Sequence, residues 1–175
     1  KDTFMKNGIY PFHFMYDTGL FEEFKDVVLN RLKGNKSKSE GLGDRIAERW
    51  DRMLENTLRP LGRALWREIK QGARSPFEES GAGFQSLKTL VDDWDPDIKI
   101  HLVGHSTGGI LLAHLLRCLS HLQPGIRIST CTLMAPACTI GDFKEYYAPL
   151  LKSEGEGLSI DEMTVYNLSA SLEEE

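Results

Sequence analysis

The sequence predicts an α/β fold, a parallel sheet with helices on both faces. Three observations carry this expectation. Ile98 to Val103 is a short β-branched, apolar run, bounded by Asp95-Pro96-Asp97 before it and by glycine after it, which suits a buried strand. Ile110 to Leu122 is apolar at helical spacing, and only the segment Gly104-His105-Ser106-Thr107-Gly108-Gly109 separates the two, so the chain must pass directly from strand to helix. Further strand-like runs at 9–16, 126–134 and 163–168 are joined through helical stretches, the alternation that builds a parallel sheet.

Composition bounds the possibilities. A chain of 175 residues suggests one domain, and 41% hydrophobic residues can bury a sizeable core. The formal charge is −5, with the two signs mixed, so nothing argues for a nucleic-acid partner. No run approaches the roughly 18–20 apolar residues of a membrane span, and Lys1-Asp2-Thr3-Phe4-Met5-Lys6 lacks the apolar core of a signal peptide. Cys118, Cys131 and Cys138 form no paired framework, which favours free thiols and a reducing, cytoplasmic location. The histidines lack zinc-ligand spacing and no Cys-x-x-Cys occurs, so no metal or other cofactor is implied.

The elements follow in order. Residues 1–7 read as the end of a helix, closed by the turn Asn7-Gly8. Ile9 to Tyr16 is apolar and aromatic throughout and suits a strand buried on both faces, with Pro11 limiting its early pairing. Asp17-Thr18-Gly19 caps a helix whose apolar face is Leu20, Phe21, Phe24, Val27, Val28 and Leu32. Lys33 to Gly43, rich in Gly, Ser and Lys, is a loop. From Asp44 to about Arg74 apolar residues recur in steps of three and four, and Pro60 divides the run into helices at 44–58 and 60–72. Between Arg31 and Arg74, Lys and Arg outnumber Asp and Glu.

The stretch 34–82 therefore reads as a loop and helical insertion between the first strand unit and the strand that leads into the serine turn. The basic helices 44–74 could act as a lid or bind a protein partner. The alternative is a helical excursion that packs Trp50 and Trp66 onto the body, and this is preferred because charge runs usually mark solvated faces. Ser75 to Gly83 is a loop. Phe84, Leu87, Leu90, Val91 and Trp94 mark a further helix. After the helix that follows Ser106, Gln123-Pro124-Gly125 breaks the chain. Ile126 to Met134 is a strand ending at Ala135-Pro136-Ala137, Thr139 to Leu151 a helix, Lys152 to Leu158 a glycine-rich loop, and Met163 to Leu168 the last strand.

The chemistry lies in the turn. Gly104-His105-Ser106-Thr107-Gly108 fits Gly-x-Ser-x-Gly, a spacing that holds a serine in a strained backbone at the carboxyl edge of a sheet. The flanking glycines lack a Cβ and let strand and helix approach. The helix that starts at once points free N–H groups toward the place where an oxyanion would form. Neither phosphate-binding pattern, Gly-x-x-x-x-Gly-Lys-Ser/Thr or Gly-x-Gly-x-x-Gly, is present.

The segment Gly104-His105-Ser106-Thr107-Gly108-Gly109 resembles the nucleophile elbow of the α/β-hydrolase superfamily, in the form common among lipases and esterases. The resemblance implies an α/β-hydrolase-like sheet and Ser106 as the nucleophile. It makes Thr107 N–H an oxyanion donor and Gly104, His105 and Gly108 the frame of the elbow. It also implies a small-molecule ester or lipid-like substrate. The same serine chemistry would serve acyl transfer or amide hydrolysis.

The partners of such a serine are not evident. In the superfamily the order is Ser, acid, His, and no histidine follows His121. His105 lies inside the motif, His101 on the strand before it, and His114 and His121 on the helix after it. His13, on the first strand run, reads as a strand histidine. Glu173, followed by Glu174 and Glu175, stands at a plausible place for the acid, and Asp142 is a weaker candidate. No His-Gly loop precedes Ile9. The simplest account makes residues 1–175 the middle of a longer α/β-hydrolase, with the catalytic histidine and the acid outside this chain. The other account is a catalytically inactive domain that serves as a protein-interaction module.

Overall fold

A computed structural model describes residues 2–14, 62–64, 66–123, 125–151 and 156–167. The elements are α1 (Asp2–Lys6), α2 (66–74, with 62–64 also helical), α3 (Ala82–Asp92), β1 (Ile100–His105), α4 (Gly108–Leu122), β2 (Arg127–Met134), α5 (Ile140–Asp142) and β3 (Ser159–Tyr166). A 3-10 turn, Ser75–Phe77, follows α2, and α5 runs on into a π-helical turn, Phe143–Tyr147. The three strands form one parallel sheet in the order β1-β2-β3. Among the described residues no helix is long and apolar enough to cross a membrane.

The core is built around α4. Its Ile110, Leu111, Leu112, Ala113, Leu115, Leu116, Cys118 and Leu119 are all buried, more than a single amphipathic stripe would give. A helix apolar on nearly every side is one enclosed on nearly every side. α4 packs on β1 below it, on α3 and the 3-10 turn, and on the π-helical turn. From β2, Ile128, Cys131 and Leu133 face this layer and are fully buried. Their spacing changes parity because Ile100 pairs with Ile128 while His101 pairs with Thr130, so Ser129 is an extra residue that bulges out of the β1–β2 ladder.

The helices lie on one face of the described sheet rather than on both. Successive right-handed crossovers that add strands in one direction leave their helices on the same side. The opposite face carries His101, Val103 and His105 of β1, and Val103 is 62% exposed.

The expected strand at 9–16 is not formed over the described part, 9–14. Pro11 removes a ladder donor. The aromatic side chains find other partners: Phe14 packs on Phe77, which is buried in the core, and on Phe12. Tyr10 and Phe12 remain largely exposed. Other boundaries move. β3 begins at Ser159, four residues before the expected Met163, because Ser159 and Ile160 pair with Arg127 and Ile128 of β2 and are buried there, and Asp161 follows on the strand in an ion pair with Arg127. The helix expected over 139–151 is helical from Ile140 to Tyr147. The helix expected over 20–32, the helix 44–58 with Trp50, and Pro60 lie outside the described residues. So does the tail from Leu168 that holds Glu173.

The described part of the insertion packs on the body. Ile69 and Ala73 of α2 are buried in the core, Trp66 is partly buried against it, and Lys70 forms an ion pair with Asp142 at 3.1 Å. All three cysteines are free, and burial raises the Cys131 thiol to about 11, so it stays an inert thiol at neutral pH.

The π-helical turn is fastened to α4 by Tyr147. This side chain is fully buried, and its hydroxyl donates to the Gly109 carbonyl at 2.5 Å. Replacing Tyr147 with Phe keeps the ring and removes one hydrogen bond. The expected loss is about 1 kcal/mol of unfolding free energy, read by urea titration, with the helix content of the folded protein unchanged.

Candidate active site

The backbone at the end of β1 reverses within three residues. Ser106 has φ 52°, in the left-handed region that residues with a Cβ rarely enter. Its N–H donates to the Met134 carbonyl at 2.9 Å, which closes the β1–β2 ladder. Its carbonyl accepts two N–H groups, from Gly109 at 3.0 Å and from Ala137 at 2.9 Å. Thr107 already has helical angles, and its carbonyl accepts from Ile110 and Leu111. Among the described residues the N–H groups of Thr107 and Gly108 have no hydrogen-bond acceptor, as expected for the first donors of a helix. Ser106 is partly exposed at the carboxyl end of the sheet, next to those two donors in the chain.

The glycines of the turn divide their work differently from the expectation. A Cβ on Gly104 would lie 2.8 Å from Leu112 Cδ1, which would have to turn aside, and 3.1 Å from the Gly108 backbone, which would have to give by a few tenths of an ångström, so the missing Cβ lets α4 cross closely over its own strand. A Cβ on Gly108 would meet nothing within 4 Å. The second close approach is at Gly109, where a Cβ would stand 3.0 Å from Pro136 Cβ. The Ala135-Pro136-Ala137 turn, which the superfamily resemblance places near the serine, is where this contact is made.

Among the described residues no histidine is hydrogen-bonded to the serine. All five histidines fall among those residues. His13 is exposed in the extended segment. His101 Nδ1 lies 2.9 Å from the Thr130 hydroxyl on the open face, and His105 is exposed on that same face. His121 Nδ1 donates to the Arg117 carbonyl at 2.6 Å. His114 lies beside the Tyr146 ring. Its burial, then Arg74 and Arg117, hold its pKa below the ordinary value, so it is neutral at neutral pH.

The two acid candidates separate. Glu173 is outside the described residues. Asp142 accepts from the Thr139 backbone N–H at 3.0 Å and from the Thr139 hydroxyl at 2.8 Å, while its own N–H donates to Thr139 Oγ1 at 3.0 Å. That is a reciprocal cap on α5, and with Lys70 it accounts for the carboxylate without any histidine. Burial pushes the Asp142 pKa up, but the Thr139 and Lys70 bonds outweigh it and hold the group below the usual aspartate value.

A groove of about 230 Å³ opens elsewhere, along the second half of α4, where Leu116, Arg117 and Ser120 face Glu145, Tyr146 and Leu150. It does not include Ser106. Among the described residues no three His, Cys, Asp or Glu side chains converge as metal ligands.

Two outcomes test this geometry. Gly104→Ala should destabilise the fold by about 1–3 kcal/mol through forced displacement of α4. Gly108→Ala should be neutral or stabilising by up to about 1 kcal/mol, since it only restricts the unfolded chain. Equal losses at both positions would refute the crossing geometry. For Asp142, a lowered folded pKa means that its contribution is complete above the ordinary aspartate range and is lost as pH falls through the folded value. Asp142→Ala should cost about 1 kcal/mol near neutral pH. The gap between variant and wild type should close as the pH falls through the ordinary aspartate range and below it, as measured by unfolding at a series of pH values.

Comparison of the chain with protein-family models, with curated protein sequences and with solved structures finds no match to any of them.

Proposed function

We propose that this chain is the nucleophile-bearing part of an α/β-hydrolase-like serine hydrolase acting on carboxylic esters. The observation that carries the reading is the left-handed Ser106 at the carboxyl end of a parallel strand, followed at once by two helix-starting N–H groups without acceptors. In the proposed step Ser106 Oγ attacks the ester carbonyl carbon and its proton passes to a base. The carbonyl electrons move onto oxygen, where Thr107 N–H, the donor that the motif itself supplies, stabilises the charge. Collapse of this intermediate expels the alcohol, and water releases the acyl group. The base is a histidine outside this chain, because none of the five present is bonded to the serine. Acyl transfer or amide hydrolysis would use the same groups.

That last observation also favours a second reading, a catalytically inactive domain that keeps the fold as a protein-interaction module. Two of the basic residues in the described part of the stretch 44–74 are already engaged. Within α2, Lys70 is already paired with Asp142 and Arg74 with Glu78.

Labelling with a fluorophosphonate separates the two. Without an aligned base, Ser106 keeps the high pKa of an alcohol, so the 175-residue chain alone should hydrolyse a short p-nitrophenyl ester weakly or not at all and should not label at Ser106. Loss of a triad member removes most of the rate and leaves only what binding and the oxyanion hole supply. A parent chain with a histidine beyond Glu175 should do both and lose both on Ser106→Ala. A parent that folds and does neither supports the inactive module. Strong labelling of the isolated chain would refute the external base.

A further inference from the structure

We propose that the turn Ala135–Ala137 is a positioning device for Ser106, with Ala135 as the residue that sets it. Among the described residues only two with a side chain have positive φ, Ser106 at 52° and Ala135 at 40°. They occupy matching places. His105, Met134 and Tyr166 are in register across the sheet, so Ser106 and Ala135 are each the first residue past the ladder. Each makes the same bond: Ser106 N–H donates to the Met134 carbonyl at 2.9 Å, and Ala135 N–H donates to the Tyr166 carbonyl at 2.7 Å. The device that ends β1 is thus repeated one strand over.

The two turns are joined. With Ala135 left-handed, the chain leaves the direction of β2 and comes back over the end of β1. There Ala137 N–H donates to the Ser106 carbonyl at 2.9 Å, and Pro136 sits on Gly109 in the first turn of α4. Alanine at Ala135 is the informative choice, because glycine would take this conformation freely and alanine does not. A residue in a sparsely populated region persists only where its surroundings over-determine it, and such residues cluster at functional sites. Here the surroundings are the Tyr166 carbonyl on one side and the Ser106 carbonyl, through Ala137, on the other. The catalytic meaning of this coupling rests on Ser106 being the nucleophile. The coupling itself does not.

The experiment is solution NMR on the 175-residue chain, reading the HN–Hα coupling and backbone carbon shifts of Ser106, which report its φ. Ala135→Gly should leave both at wild-type values. Ala135→Val, whose β-branched side chain resists positive φ, should move both, and Ala137→Pro, which removes the one N–H, should move them while the β1–β2 cross-strand contacts persist. A folded Ala135→Val or Ala137→Pro variant with an unmoved Ser106 overturns the proposal. Should neither variant fold, hydrogen exchange of the wild type decides. Ala137 N–H should exchange at least about tenfold more slowly than exposed turn amides, alongside Ser106 N–H, and exchange at the turn rate overturns the proposal. Fluorophosphonate labelling of a parent chain fails or succeeds separately: its failure removes the hydrolase reading and leaves the coupling of the two turns standing.

Discussion

The Ser106 carbonyl holds two N–H groups, one from Gly109 in the helix it starts and one from Ala137 beyond the next strand. Both lone pairs are used, and the peptide cannot rotate without losing one of them. Much else follows from this fixed point. β1 has to stop at His105, and α4 has to begin within three residues. The helix is then thrown back over its own strand so closely that Leu112 and the Gly108 backbone occupy the space where a Cβ on Gly104 would be. A helix held that tightly against the sheet, with α3 on it and the π-helical turn anchored by Tyr147, is enclosed on nearly every side. The long apolar content of α4 is the composition that enclosure demands.

The direction of winding is the second constraint. The order β1-β2-β3 adds each strand on the same side of the last, so the crossovers bring their helices to one face. Parallel sheets are ordinarily covered on both faces, and their strands read as continuous apolar runs. β1 has that composition in Leu102-Val103-Gly104, yet the described residues cover only one side of it. The other side shows its outward row, His101, Val103 and His105, in register with Thr130, Thr132 and Met134 of β2.

What the sequence made legible is what local periodicity encodes. The stripe from Ile110 to Leu122 gave α4 almost to the residue, and the Gly-x-Ser-x-Gly spacing gave the left-handed serine. What it hid depends on partners far away in the chain. The aromatic run at 9–14 has a strand's composition, but Phe14 is taken by Phe77. Asp161 and Glu162 look like loop residues, yet an exposed strand position within reach of Arg127 on the neighbouring strand accepts an acid readily. The parity change in β2 is a bulge at Ser129 that no alternation rule anticipates. Asp142 was partly legible: Thr139 followed three residues later by a carboxylate is the spacing of a reciprocal cap, which is the role the carboxylate has here.

The separation of the serine from the four histidines of β1 and α4 follows from the same geometry. Alternation along β1 sends His101 and His105 to the open face, away from the helix whose N-terminus would face the reacting carbonyl oxygen. His114 and His121 lie on α4 about two and about four turns beyond Ser106, roughly 12 and 22 Å along the axis. A general base must come within about 2.6–3.2 Å of the hydroxyl it serves, which a side chain cannot do from there. On the proposed hydrolase reading, the two halves of the site would have different origins. The oxyanion half would be backbone and would arrive with the turn itself: a left-handed serine followed by a helix start leaves N–H groups without acceptors next to it in the chain. The base half cannot be local, because neither a strand running into such a turn nor a helix running out of it can return a side chain to the serine. Only a segment crossing the carboxyl edge of the sheet from another part of the fold can supply it.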